Sequence, residues 1–137
     1  MLPTILIVTS AAIVGTLGLL HLIITFSGPK LHPRDRDLKE RMETVSPVIT
    51  RQTTMWKAWI GFNASHGFGA MLFAAIYGYM AVAQSALLFR SVYLFAVGEV
   101  LLIGFVILAH KYWFTTPRRG LWVALICYTA GFVIAGA

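Results

Sequence analysis

Four long apolar runs, separated by short polar interruptions, set the pattern of this chain. They fall at about 3–26, 55–81, 91–112 and 117–137. A helix needs about 20 mostly apolar residues to cross a hydrocarbon layer of about 30 Å, and each run meets that length. The first has no Lys or Arg before Lys30 and is long for a cleaved leader, so it reads as a retained helix. Gly28-Pro29 ends it by breaker chemistry. In the only sizeable connection, residues 27–54, Leu38, Met42 and Val45 recur at i, i+4, i+7 among charges. That spacing predicts a short amphipathic helix at the membrane surface, with docking to a partner as the alternative. Ser46-Pro47 resembles a cap and first-turn proline, so the second helix is expected to start near Pro47 and pass the interface before entering lipid. Residues 84–90 read as a turn, and Thr116-Pro117 as the cap and opening of the last helix. The expected fold is all-α: one integral membrane domain over 1–137, an antiparallel four-helix transmembrane bundle with a short cytoplasmic amphipathic helix.

Composition agrees with this pattern. The chain is 58% hydrophobic and only 12% charged, whereas soluble domains carry about 25% charged residues. One cysteine, Cys127, excludes an internal disulfide. The net charge is +6, without the aromatic-interleaved basic patch of a nucleic-acid binder, so nucleic acid is not an expected partner. Ten of the eleven Lys and Arg lie in or beside the first and third connections, and Arg90 alone lies opposite. By the positive-inside rule both connections face the cytoplasm and both termini face outward.

The second span holds polar residues where they are costly. Gly61, Ser65 and Gly69 form a small-residue stripe suited to helix contact. Trp56, Trp59, Asn63, His66, Ala70, Phe73 and Tyr77 follow heptad-like spacing on another face. In the third span, Glu99, Ile103, Val106 and His110 share a face. At about 1.5 Å per residue, His66 lies roughly 18 Å and Glu99 roughly 20 Å from the cytoplasmic boundary, Asn63 roughly 13 Å and His21 roughly 9 Å. A carboxyl group in lipid is expected to be neutral or paired, and His66 on the adjacent helix is the expected partner of Glu99.

Three readings of these polar residues stay open. Glu99, His66 and Asn63 could simply hydrogen-bond across helices and fix their register, at about 0.6–2 kcal/mol each. They could form a ligand or proton site with His21, Trp56 and Trp59. They could hold a metal or haem, but His21 and His66 differ by roughly 9 Å in depth, and no Glu-x-x-His pair or zinc spacing occurs. No metal or other cofactor is therefore assigned. Ser65 and His66 point about 100° apart on a helix, and Cys127 has no positioned base, so neither makes a nucleophile site. The fourth span, with Cys127, Tyr128 and Thr129, reads as packing.

The segment from Trp56 through Gly67, WKAWIGFNASHG, resembles a family of small bacterial four-span membrane proteins of uncharacterised function. The likeness includes Thr53-Thr54-Met55, Lys111-Tyr112-Trp113-Phe114 and the Pro-Arg-Asp piece of the first loop. It implies a four-helix fold in a bacterial inner membrane and brings no activity. The layout is also loosely similar to the sterol-isomerase and sigma-2-receptor superfamily, whose bundles line a lipophile pocket with Glu, His, Asn and Trp. The leading expectation is a site for a small or lipophilic ligand, lined by His21, Trp56, Trp59, Asn63, His66 and Glu99. The alternatives are a structural or accessory subunit that contacts a second copy or a larger complex, and an intramembrane acid–base enzyme acting on a lipophile.

Overall fold

A computed structural model describes residues 1–136. Its helices are α1 (Leu2–Phe26), α2 (Arg36–Thr44), α3 (Met55–Ala83), α4 (Ser85–Arg90), α5 (Val92–Tyr112) and α6 (Thr115–Gly136). There is no strand among the described residues. The four long helices are apolar and long enough to span a bilayer, so the all-α four-helix membrane fold stands. Ala137, the expected end of the last span, lies outside the described residues.

Three local expectations are corrected. The helix after the first connection starts at Met55, not near Pro47. Residues 47–50 form a turn instead, and Thr54 provides the cap, its hydroxyl accepting from the Lys57 N–H at 3.3 Å. Pro47 could open a helix only if its successors continued it, and Val48-Ile49-Thr50 is a β-branched run with low helix propensity. The 84–90 turn is a helix, α4, because buried Leu88 anchors it to the core. The last helix starts at Thr115, so Thr116 lies inside α6 instead of capping it and Pro117 is its third residue, still within the first turn, where a missing N–H costs no helix bond. Gly28, at φ +80°, ends α1 in the left-handed region glycine tolerates. The Asp35 carboxylate caps α2 by accepting from the Asp37 and Leu38 N–H groups.

The chain packs as two compact units, Gly18–Gly69 and the remainder, Met1–Leu17 with the chain from Ala70 onward. The second of these holds the apolar core. Ile7 and Val14 of α1, Phe73 and Tyr77 of α3, Leu102 and Val106 of α5, and Leu121 and Tyr128 of α6 all belong to it. Its centre is aromatic: the Tyr77 and Tyr128 rings meet edge to face at 5.3 Å, with Phe73 4.7 Å from Tyr77. Both tyrosine hydroxyls donate to the Leu94 carbonyl of α5, at 2.7 and 3.1 Å. Gly98 makes this approach possible, because a Cβ there would lie 2.0 Å from the Tyr128 hydroxyl. Bulky residues such as Leu72, Val82, Val100 and Val133 point outward, with more than 60% of their surface exposed. In a bilayer they face acyl chains, which cost nothing to cover with leucine or valine.

The Gly18–Gly69 unit contains the end of α1, the connection with α2, and the first half of α3. None of the α2 residues is buried by protein, and Val48 and Ile49 beyond it are almost fully exposed. An amphipathic helix with its apolar side uncovered suits the membrane interface, as its spacing predicts.

Adding one methyl group separates a packed glycine from a free one. Gly98→Ala should lower stability by about 1–3 kcal/mol, the cost of overpacking. Gly61→Ala, with nothing within 4 Å of the new atom, should change it by less than about 1 kcal/mol. Thermal unfolding of the two variants in the same detergent checks the contrast.

Candidate functional site

The intramembrane polar residues of the Gly18–Gly69 unit meet where α1 and α3 run antiparallel. Gly67 sets their distance: a Cβ there would stand 2.7 Å from Leu22 Cγ and 3.3 Å from the Gly18 carbonyl oxygen. One turn away, His21 Nε2 lies 3.1 Å from Asn63 Oδ1. The His66 ring stands edge to face with that of His21, centroids 5.4 Å apart. The structure thus brings together His21, Asn63 and His66.

This contact corrects the depth estimate that set the two histidines roughly 9 Å apart by counting rise along each helix axis. Helical side chains lean toward the N-terminus of their own helix. On antiparallel helices those leans converge: His21 reaches inward from near the end of α1, and His66 reaches back from within α3.

The hydrogen-bond order in the cluster follows from its one unambiguous acceptor. The Trp59 backbone carbonyl can only accept, and Asn63 Nδ2 donates to it at 2.8 Å. That turns Oδ1 toward His21, so His21 Nε2 must carry the hydrogen. In the neutral ring, Nδ1 then keeps the lone pair. The His21 carbonyl is taken separately, by the Thr25 hydroxyl at 2.7 Å. The cluster therefore has a donor fixed on Asn63 and an imidazole acceptor not used by that bond.

Trp56 and Trp59, expected to wall a pocket, hold the connection onto the end of α3. Trp59 Nε1 donates to the Leu31 carbonyl at 3.1 Å. The Trp56 ring meets the His32 ring edge to face at 4.9 Å, and Lys39 Nζ lies 5.0 Å from its centroid. Residues 31–39 are thereby tied to the first turns of α3, next to the Asn63–Trp59 bond. His32 is part of this tie. The loop side of the tie left no period in the sequence, because Leu31 contributes only a backbone carbonyl.

Glu99 belongs to the other unit. Its carboxyl oxygens lie 2.8 and 3.0 Å from the Thr129 hydroxyl of α6, which also reaches the Leu125 carbonyl at 3.0 Å. Within its own unit Glu99 meets the Thr129 hydroxyl, and within the other the His66 ring stands against that of His21. Thr129 and Tyr128, read only as packing, are the residues that cross from α6 to α5. Among the described residues no group of three or more His, Cys, Asp or Glu side chains is placed to hold a metal ion.

Removing one donor tests the loop attachment. Trp59→Phe keeps the ring but loses the N–H, at about 0.5–1.5 kcal/mol for a neutral hydrogen bond. Amide hydrogen exchange over residues 27–36 should speed up, with exchange in the second half of α3 unchanged.

No family model, curated protein or solved structure matches this chain. What the His21–Asn63–His66 cluster does has to follow from its chemistry.

Proposed function

We propose that this multi-pass membrane protein binds a small amphiphile through the His21–Asn63–His66 cluster, the polar head of the ligand being a hydrogen-bond donor such as a hydroxyl. The observation that carries this reading is the fixed amide of Asn63, oriented by Trp59 and bonded to His21 Nε2. It leaves the Nδ1 lone pair of His21 as the acceptor. A ligand hydroxyl meets that lone pair, while its apolar body lies along the helices in the bilayer. Trp59 and Trp56 act one step back: they keep the connection over the end of α3 and orient Asn63. Glu99 is engaged by Thr129 within the other unit and is not needed for this reading.

Orientation follows from charge. Ten of the eleven basic residues lie in or beside the α1–α3 and α5–α6 connections, which supports cytoplasmic connections and outward termini. The resemblance carried by Trp56 through Gly67 points to a bacterial inner membrane.

A second reading has its own support. Gly61 and Gly69 have no atom within 4 Å of an added Cβ, and Ser65 is exposed with its hydroxyl turned back to the Phe62 carbonyl. The small-residue stripe of α3 is uncovered, which suits contact with a second copy or a larger complex.

Native mass spectrometry of the protein extracted from its own membrane tests both. A co-purifying amphiphile should be retained by wild type and by Glu99→Gln. It should be about tenfold less abundant on His21→Phe or Asn63→Leu, the effect of losing one hydrogen bond of about 1–2 kcal/mol. Retention unchanged in His21→Phe overturns the binding reading. A dimer lost in Gly61→Leu, with no small molecule present, establishes the other.

A further inference from the structure

A second feature lies at the basic end of α5 and α6, in the unit that does not contain the histidine cluster. A cleft of about 540 Å³ opens between the two helices, with a floor of Ile103, Val106, Ile107 and Leu125. Trp122 forms one wall, and His110 and Lys111 stand at its end. From Ile103 to Lys111 it runs about 12 Å along the helix, at 1.5 Å per residue. That is an apolar slot with a cation at one end.

The charges around that end are one-sided. Arg118 lies one turn before Trp122 on α6, with Arg119 beside it. Among the described residues the one side-chain ion pair is Lys39 with Glu43, in the other unit. Lys111, Arg118 and Arg119 thus have no carboxylate partner, although Lys111 rests 5.2 Å from the Tyr112 ring centroid. Four of the chain's five acidic residues, Asp35, Asp37, Glu40 and Glu43, lie in the α1–α3 connection. The fifth, Glu99, lies one turn beyond Ile103 and is engaged by Thr129. The basic end of this unit therefore has no internal counter-charge.

We infer that this cleft binds one anionic glycerophospholipid, an acyl chain lying on Ile103, Val106, Ile107 and Leu125 and the phosphate meeting Lys111 and Arg118. The apolar slot alone would accept any acyl chain. The uncompensated cations at its mouth select the head group, since anionic lipid attracts Lys and Arg at the membrane surface while a zwitterionic head group offers no net charge. Trp122 suits this position, with its ring against the chain and its N–H toward the head-group level. The inference is independent of the histidine cluster.

The test uses the full chain, delipidated in detergent and titrated with phosphatidylglycerol or phosphatidylcholine while native mass spectra are recorded. One phosphatidylglycerol should bind in preference to phosphatidylcholine by about five- to tenfold, the effect of a basic residue beside an anionic surface. Lys111→Gln with Arg118→Gln should abolish the preference but retain an acyl-lipid adduct. Ile107→Trp, which fills the slot from an exposed position, should abolish the adduct with either lipid while the thermal transition stays within a few degrees of wild type. Equal binding of the two lipids by wild type overturns the inference. So does undiminished phosphatidylglycerol binding by Ile107→Trp, or a protein dimer that this variant dissociates, which would make a second copy the occupant.

Discussion

Two tyrosine hydroxyls donating to a helix carbonyl at Leu94, across the notch left by Gly98, set the arrangement of the larger unit. A hydroxyl without a partner in hydrocarbon costs several kcal/mol, and no water is present to replace a lost partner. Tyr128 is wholly buried, so its hydroxyl has to find an acceptor within the protein. The carbonyls of Leu94 and Phe95 provide it, at 3.1 and 3.2 Å, and Tyr77 shares the first. This fixes how α3 and α6 stand against α5. The rings then seat Phe73, Phe95 and Phe132 around them. In a membrane, where apolar burial gives little net drive to helix association, such directional contacts and the glycine that permits them decide the packing.

The Gly18–Gly69 unit uses the same logic with weaker filling. Its close approach is at Gly67, and its directional contacts are His21 with Asn63, Asn63 with the Trp59 carbonyl, and Trp59 with the Leu31 carbonyl. These form a single line from the connection to the α1–α3 contact. A disturbance of residues 31–32 is therefore felt first at Trp59 and then at Asn63. That coupling makes the connection part of the site's support, although none of its side chains enters the cluster.

Much of this could be read from residue spacing. Of the heptad-like series from Trp56 to Tyr77 on α3, the later members, Ala70, Phe73 and Tyr77, face inward, all at most 6% exposed. Span lengths, the Gly28 break and the surface helix follow from composition and local chemistry. Two kinds of information were not in the pattern. One was rotation about each helix axis, which decides that Glu99 meets Thr129; hydropathy alone does not fix it because both sides of these spans are apolar. The other was backbone partnership. The carbonyls of Leu31, Leu94 and Trp59 accept the decisive hydrogen bonds, and a carbonyl is the same in every residue type. The depth estimate for His21 and His66 failed for a related reason: it located Cα atoms, whereas the imidazoles meet through their lean.

Satisfaction of polar groups separates structural residues from candidate binding residues. Tyr77, Tyr128, Thr25 and Thr129 all have acceptors inside the protein, so their polarity is spent on packing. Glu99 is engaged by the Thr129 hydroxyl, and a ligand there would displace a helix contact. Ser10 has no partner for its hydroxyl, yet it is sealed at 0% exposure, so a ligand cannot reach it without opening the core. His21 is different on both counts. Its Nε2 is fixed by Asn63, its other nitrogen is left as an acceptor by that bond, and its side is only partly covered. A group that is both oriented and accessible is what binding requires, and among these span residues the two conditions meet at His21.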